Sequence, residues 1–298
     1  MGILYSTPKI DQESKMIYGC YPDIPDDRDH KKVYDIHPSI KNGTIKVIDI
    51  RDHCSPVFNQ GKLGSCTANA VCANYEYIFM KKHGLIKSQA EIFSRLFVYW
   101  NERELENSTD KDSGASIRDG IRSIHTHGVP LEKYWPYDIA KFADKPDDQA
   151  FIAAFNHVNI KYARLDKNLD QLKQCLAEGN PFVFGFAVYE SFESDDIAET
   201  GIMSVPTQNE KLLGGHAVMA VGVDENTKCF IIQNSWGDKW GDDGFFYMPY
   251  VVMFGSPKQN PEITSYTTDF WCIEANDDQT AVMKPLVSDI LCTHIANV

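Results

Sequence analysis

The clearest periodic pattern of apolar residues follows Cys66, in the segment CTANAVCANYEYIFM. Ala70, Ala73 and Tyr77 recur at intervals of three and four residues, which is the spacing of one helix face. Gly84 follows three polar residues and supplies a stop signal for a helix. The pattern therefore predicts a helix that begins at Cys66 and ends near Gly84.

The rest of the chain divides into a helical first part and a strand-rich second part. Helical spacing predicts three further helices, over residues 88–106, about 116–127 and 169–178. After Pro181, short apolar or aromatic runs separated by Gly and Asp turns predict strands. These runs cover residues 181–189, 216–224, 229–236 and 244–250. Helices followed by strands indicate an α+β protein of two lobes.

The first fifty residues differ from the rest, because Asp, Lys and Pro are frequent and no long periodic pattern occurs. Pro22 and Pro25 favour extended backbone and remove hydrogen-bond donors, so we expect an irregular arm with a short strand near residues 44–50. Two interpretations of the arm stay open, a solvated leader or a segment that folds across a cleft. The predicted division is an arm over residues 1–50, a main domain over 51–275 and a tail over 276–298.

Composition and charge exclude several classes of function. The net charge of −13, without a cluster of Lys and Arg, argues against a nucleic-acid partner. The N-terminus lacks the pattern of a secretory signal, and no stretch approaches about 18 continuous apolar residues, so no membrane partner is expected. Because no secretory signal is present, we expect the eight cysteines to be free thiols and not disulfides. The absence of a C-x-x-C pair argues against a zinc site. We expect a cytoplasmic monomer, with a virion or non-classical export as alternatives.

Four polar residues have the spacing of a nucleophilic site. Cys66 lies at a predicted helix N-terminus, where free backbone N–H groups favour a thiolate. His216 follows two glycines and precedes a strand, and Asn234 comes eighteen residues later, after the next strand. If these strands pair antiparallel, the Asn234 amide oxygen lies near the His216 imidazole, as a base and its orienter require. Gln60, six residues before Cys66, is placed to complete an oxyanion hole with the Cys66 N–H.

The order of Gln, Cys, His and Asn, with the run Asn234-Ser-Trp236-Gly, resembles the papain and cathepsin family of cysteine peptidases. The separation of 150 residues between Cys66 and His216 suits the family interval. The resemblance covers roughly residues 51–273 and points to a non-secreted variant of bacterial or viral type. It implies a papain-like fold with a helical left lobe, an antiparallel β-barrel-like right lobe and the active-site cleft between them.

The resemblance also implies which residues bind substrate. They are residues beside the predicted catalytic groups, namely Gly114, Asp112, Ser65, Gly215 and Trp236. Trp236 is expected to cover the hydrogen bond between His216 and Asn234 from water. Two positions depart from the family pattern: Leu63 stands where a half-cystine is usual, and Thr67 replaces an aromatic residue.

In the mechanism that the family implies, the Cys66 thiolate attacks the scissile carbonyl and His216 protonates the leaving amine. The substrates are peptides or proteins, and neither metal nor cofactor is expected. The arm over residues 1–50 is a candidate inhibitor of the site. Two alternatives stay open, a non-catalytic homologue that binds peptides and an acyl transferase that uses the same triad.

Overall fold

The computed structural model describes residues 16–157, 160–257 and 264–276. The helices in these ranges are α1 Pro38–Lys41, α2 Cys66–His83, α3 Arg95–Leu105, α4 Ile117–His127, α5 Asp148–Ala154, α6 Leu169–Ala177, α7 Asp195–Thr200 and α8 Tyr250–Met253. The strands are β1 Lys31–Lys32, β2 Val47–Asp49, β3 Ile160–Leu165, β4 Phe182–Tyr189, β5 Leu212–Asp224, β6 Cys229–Gln233, β7 Phe245–Pro249 and β8 Thr267–Ala275. No helix within the described ranges is long and apolar enough to cross a bilayer. The predicted tail lies outside the described residues, apart from Asn276.

The central helix is α2, and its predicted start and end are both confirmed. Ser65 is the residue before its first turn, and Gly84 ends it in the left-handed conformation at φ +62°. A left-handed residue at this position is the usual way to end a helix, and glycine adopts it without steric cost. Every residue from Cys66 to Tyr77 is buried, so α2 is surrounded by other elements along most of its length.

The helix predicted over residues 88–106 begins later than expected, at Arg95. The Phe93 backbone N–H donates to the buried Glu76 carboxylate at 2.8 Å, which takes this residue out of the helix. Ser94 is then the N-cap, and its hydroxyl accepts from the Phe97 N–H. The prediction was wrong here because a contact between distant residues overrides local periodicity. The other two predicted helices match α4 and α6 closely.

The eight strands form one sheet in the order β1-β3-β8-β4-β5-β6-β7, with β2 paired to β5. The pair β1 and β3 is parallel, and the other pairs are antiparallel. The four predicted strands correspond to β4 to β7, whereas β3 and β8 were not predicted. The α+β prediction is confirmed. The predicted barrel-like sheet is not, because β1 and β7 lie at opposite ends of the order and the described sheet stays open.

Strand β5 connects the two hydrophobic cores of the molecule. Val218 and Ala220 belong to the core that includes α6 and β4, while Ala217 and Met219 belong to the core around α2, α3 and α4. Successive side chains of a strand point to opposite faces, so a strand that is buried on both faces is apolar throughout. The interface between helices and sheet therefore runs along β5.

The chain that follows residue 30 is part of the sheet. β1 pairs with β3, and the short strand predicted near residues 44–50 is present as β2, paired with β5. Between them, Tyr34 and Gln171 of α6 exchange two hydrogen bonds of 2.7 and 3.0 Å. The described residues before β1, 16–30, contain no helix or strand, and we call them the cleft arm.

A buried carboxyl group lies beside the first turn of α2. Thr67, which departs from the family pattern, donates to Glu102 of α3 at 2.6 Å, and the second carboxyl oxygen of Glu102 is buried without a partner among the described residues. Gly120 of α4 makes room for this oxygen, since a Cβ there would lie 2.6 Å from it. Burial raises the pKa of Glu102 to about 8, so the group is mainly protonated at neutral pH.

We expect the substitution Glu102→Gln to flatten the pH dependence of folding stability. Glu102 stays protonated in the folded chain up to about pH 8, while the unfolded chain releases the proton near 4.5, so the wild type loses stability as pH rises through this window. The slope for one such group reaches about 1.4 kcal/mol per pH unit. Urea unfolding at several pH values measures it, with exposed Glu104→Gln on the same helix as the control. Parallel curves for wild type and Glu102→Gln would contradict the assignment.

Candidate active site

Cys66 is the first residue of α2 and has no exposed surface. Burial raises the pKa of its thiol to about 11, and hydrogen bonds from the backbone of Ala217 and Gly19 offset part of the rise. A helix N-terminus by itself favours the thiolate. In this arrangement burial outweighs the helix, so the thiol is neutral.

His216 on β5 is bound to Asn234, as the predicted strand pairing required. Met219 of β5 lies opposite Gln233 of β6, and the next residue, Asn234, contacts the imidazole, with its Oδ1 2.8 Å from Nε2. The same Oδ1 accepts from the Ser235 N–H at 2.8 Å, so the proton of the neutral imidazole lies on Nε2. The other ring nitrogen, Nδ1, is buried without a partner among the described residues and keeps a lone pair.

The surroundings of His216 favour its neutral form. Burial lowers the pKa of the imidazole to about 4, and the hydrogen bond with Asn234 opposes this shift. The ring of Trp236 lies 5.2 Å from the imidazole between ring centres, and its role in covering the hydrogen bond with Asn234 stays a prediction. A neutral imidazole with a free Nδ1 is able to accept a proton.

Gln60 is fully buried and is connected to the segment that carries Asn234. Its Oε1 accepts from the Ser235 hydroxyl at 2.7 Å, and its backbone N–H donates to the Ser235 carbonyl at 2.9 Å. These bonds direct Nε2 toward the carbonyls of Leu63 and Ile17, at 3.0 and 3.3 Å. Sequence reasoning did not single out Ser235, although its place directly after Asn234 was a usable signal.

Two of the predicted substrate-binding residues support the Cys66 loop from within. Both carboxylate oxygens of Asp112 accept from the Gly64 N–H, at 3.0 and 3.1 Å, and one also accepts from the Tyr99 hydroxyl. The Ser65 hydroxyl bonds to Tyr137 Oη at 2.5 Å. Their side chains are thus engaged inside the protein and hold the loop before α2 in place.

The sequence profile of the papain family cysteine proteases matches residues 45–256, which is more than half of the chain. The match spans all four predicted catalytic positions and both lobes. The chain belongs to the papain family. It is a cysteine peptidase of the thiol protease class, as the family match and the similar structures below establish.

Similar proteins come from viruses, bacteria and plants. A peptidase C1-like protein of Acanthamoeba polyphaga mimivirus is 42% identical over 83% of this chain and 79% of its own. Xylellain, a cysteine protease from Xylella fastidiosa, is 39% identical with a TM-score of 0.74, over 87% of this chain and 96% of that structure. A cysteine protease of Carica candamarcensis shares the fold, with 23% identity and a TM-score of 0.54, over 78% and 99% of the two chains. The chain spans 61% of cysteine proteinase 3 from Entamoeba histolytica, which is 26% identical over 67% of this chain.

In this papain-family protease the cleft arm crosses the site between two walls. The Cys20 N–H donates to the Gly215 carbonyl at 3.0 Å on one side. On the other side the Ala115 N–H donates to the Gly19 carbonyl at 2.8 Å, and the Tyr21 N–H donates to the Ala115 carbonyl at 3.3 Å. The predicted substrate-binding residue Gly215 therefore contacts the arm through its backbone.

Glycines allow the arm to lie this close. A Cβ on Gly19 would lie 1.8 Å from the Gly64 carbonyl oxygen, and one on Gly114 would lie 2.1 Å from the Gly19 oxygen. Gly215 would place a Cβ 2.0 Å from the Cys20 oxygen. Real Cβ atoms do not approach backbone this closely, so larger residues at these positions exclude the observed arm.

Tyr18 of the arm covers the imidazole of His216. Its ring lies 6.0 Å from His216 in an edge-to-face arrangement and 6.2 Å from Trp236, between ring centres. The Tyr18 hydroxyl donates to Glu193 at 2.6 Å, which fixes the ring. No group of three or more His, Cys, Asp or Glu side chains in the described part of the chain has the arrangement of a metal site.

We expect iodoacetamide to modify Cys229 before Cys66 in the folded, full-length protease. Cys229 is partly exposed on β6, whereas Cys66 is buried and its raised pKa leaves little of the reactive thiolate. Peptide mapping after brief alkylation at neutral pH measures both rates, and the urea-unfolded chain serves as the control in which the two rates converge. Faster modification of Cys66 in the folded chain would contradict its burial beneath the arm.

Proposed function

We propose that this protease hydrolyses peptide bonds with Cys66 as nucleophile, His216 as base, Asn234 as orienter and Gln60 as oxyanion donor. The observation that carries the proposal is the hydrogen bond between His216 Nε2 and Asn234 Oδ1. It fixes the tautomer that leaves Nδ1 as the proton acceptor, on the strand whose next residue, Ala217, contacts the Cys66 thiol through its backbone.

The reaction follows from these roles. The Cys66 proton moves to His216 Nδ1, and the thiolate sulfur forms a bond to the scissile carbonyl carbon. The resulting oxyanion accepts hydrogen bonds from Gln60 Nε2 and the Cys66 N–H. When the C–N bond breaks, the imidazolium protonates the leaving amine, and a water molecule that gives its proton to His216 then releases the acid from Cys66.

We also propose that the cleft arm inhibits the protease. Its Ile17 carbonyl accepts from the amide of Gln60 at 3.3 Å, which is the donor that the oxyanion requires. Gly19 lies over Cys66 and Tyr18 over His216. The raised pKa of the thiol and the lowered pKa of the imidazole both oppose the charged pair that starts the reaction.

Substrate binding then uses the groups that the arm occupies. The Ala115 N–H and carbonyl and the Gly215 carbonyl are free to bond a peptide backbone once the arm leaves. Gly114 and Gly215 give room for that backbone, Trp236 covers the leaving-group side, and Asp112 and Ser65 hold the loop. The proposed site needs no residue from a second subunit, and we propose that the protease works as a monomer.

The working compartment is proposed from the cysteines. The seven cysteines in the described ranges are all free thiols, which supports a reducing, cytoplasmic location. A location in a virion or non-classical export stays an alternative, and gel filtration and fractionation of the source cells test the monomer and the location.

Hydrolysis of a dipeptidyl fluorogenic amide tests the catalytic proposal. Turnover in the wild type or in an arm-displaced variant, with none in Cys66→Ser, supports a peptidase. Transfer of the acyl group to an added amine in preference to water would favour the acyl transferase. No turnover and no adduct of a thiol-reactive epoxide on Cys66 would favour a non-catalytic peptide-binding protein.

Substitution of Gly19 by Val is expected to activate the protease. A Cβ at this position collides with the Gly64 carbonyl, so the arm leaves the cleft while the chain after residue 30 stays paired in the sheet. Each ~1.4 kcal/mol of lost docking free energy raises the ratio of open to closed molecules about tenfold. The value of kcat/KM should rise in proportion to the fraction of open molecules. Ile24→Ala is the matched control, because the Ile24 side chain lies on the same arm and is 82% exposed. Equal activity of Gly19→Val and wild type would show that the arm does not inhibit.

The Ser235 hydroxyl is expected to act by positioning Gln60. In the Gly19→Val background, Ser235→Ala should lower kcat about tenfold with little change in KM, which is less than the ~10²–10³ expected for Gln60→Ala. The reason is that the Gln60 amide loses the hydrogen bond that orients it. Ser235→Thr keeps a hydroxyl and serves as the control. A larger effect on KM than on kcat would contradict a role in the oxyanion hole.

A further inference from the structure

The cleft arm is fixed, where it leaves the cleft, by a cluster of charged side chains that we call the arm clamp. Its members are Asp23 and Asp29 of the arm, Arg118 of α4, Arg164 of β3 and Asp269 of β8. Arg164 donates to Asp29 at 2.7 Å, and Arg118 forms a second ion pair with the same carboxylate. The clamp thus joins the arm to both lobes of the protease.

Asp23 makes the most contacts in the clamp, and its carboxyl group has no exposed surface. One oxygen accepts from Arg164 and from the indole N–H of Trp271, both at 2.7 Å, and the other accepts from the Arg118 backbone N–H at 3.1 Å. The Asp23 backbone N–H donates to Asp269 at 3.1 Å. The site is therefore built around this one arm residue.

The charges in the clamp do not balance. Three carboxyl groups face two guanidinium groups, and one terminal nitrogen of Arg164 donates to both Asp23 and Asp269, at 2.7 and 2.9 Å. The side chain of Asp269 is only 8% exposed. Two carboxyl groups that share one buried donor disfavour the state in which both are ionised. Burial and the Asp269 charge together raise the pKa of Asp23 to about 7, against the attraction of Arg164.

Asp269 adopts a backbone conformation that few residues accept. Its φ is +55°, inside a strand, at the place where the pairing of β4 with β8 is irregular. Asp and Asn tolerate the left-handed region better than most residues, yet it carries a cost. In that conformation the Asp269 carboxylate accepts hydrogen bonds from the Asp23 backbone N–H and from the Arg164 guanidinium group.

We propose that the arm closes the cleft with the uptake of one proton, held between Asp23 and Asp269, so that acidification tightens the inhibition. The proposal rests on the inhibitory role of the arm proposed above. A released arm carries Asp23 into water, away from Asp269, where it ionises at its ordinary pKa near 3.8. The contribution of the clamp to docking is therefore strongest below about pH 4, weakens as pH rises, and levels off above about pH 7.

Other titratable groups near the arm do not reverse this direction. Cys20 faces Asp23 and Asp269, and its raised pKa keeps the thiol neutral. Glu106 accepts from the Tyr21 hydroxyl, and burial raises its pKa to about 8, so uptake there has the same sign and is common to the wild type and to variants of the clamp. Cys66 and His216 hold one proton in either state, as neutral thiol and imidazole or as thiolate and imidazolium.

Amide hydrogen exchange of the full-length protease tests the proposal without turnover. The Cys20 and Tyr21 N–H groups are bonded to the cleft walls, so their protection, relative to the intrinsic rate at each pH, reports docking. The clamp proton should make protection in the wild type rise by about tenfold per unit as pH falls from about 7 to about 5, in addition to the slope that Glu106 contributes.

Two variants isolate the clamp. Asp23→Asn keeps the size and the acceptor oxygen but cannot take up the proton, so the pH slope of its protection should be smaller than that of the wild type by about tenfold per unit. Asp269→Asn tolerates the same backbone conformation and removes the charge that, after burial, raises the pKa of Asp23. Its slope should therefore also be smaller than that of the wild type, which decides the result if the arm of the Asp23→Asn variant fails to dock. Asp26→Asn is the matched control, because Asp26 on the same arm is paired with Arg28 and lies outside the clamp, and it should keep the slope.

The outcomes separate the two proposals. Equal pH slopes in wild type, Asp23→Asn and Asp269→Asn would overturn the proton uptake and leave the inhibitory role intact. Unchanged activity of Gly19→Val would refute the inhibitory role, whatever the exchange data show. A slope that reverses, with protection falling as the pH falls, would also overturn the proposal.

Discussion

The contact between the N-terminus of α2 and strand β5 is the constraint on which the site depends. Cys66 begins the helix and His216 lies on the strand, so the two groups are positioned by packing between the lobes. Strand β5 sends alternate residues into both hydrophobic cores, which leaves it little freedom to shift. The relative position of Cys66 and His216 is thus set by packing in the hydrophobic cores. The loop before Cys66 adds the remaining groups of the site.

The burial that positions these groups also suppresses their charge. Cys66 and His216 both have pKa values displaced toward the neutral form, and desolvation is the leading cause for each. The arm contributes to this burial because Gly19 and Tyr18 cover the pair. The arm thus covers this pair with backbone and one aromatic ring, and the inhibition that we propose acts by excluding water.

Local sequence patterns predicted the elements whose causes are local. Helix α2, its glycine end and the four strands after residue 180 follow from periodicity and turn residues, and spacing brought His216 and Asn234 together. Sequence reasoning missed the features that depend on distant contacts. Strand β8 opens with Thr267-Thr-Asp269 instead of an apolar run, and Asp23 binds Arg164 across 141 residues of chain. Local sequence patterns cannot predict contacts between residues so far apart in the chain.

The strands that follow the arm determine how the proposed inhibition responds to dilution. β1 and β2 stay paired in the sheet, so a released arm remains attached to its own cleft by a few residues. A short flexible tether gives an effective concentration in the millimolar range, and this value does not depend on how many molecules are present. The closed fraction is then a property of each molecule alone, equal in a crowded compartment and after release into a large volume.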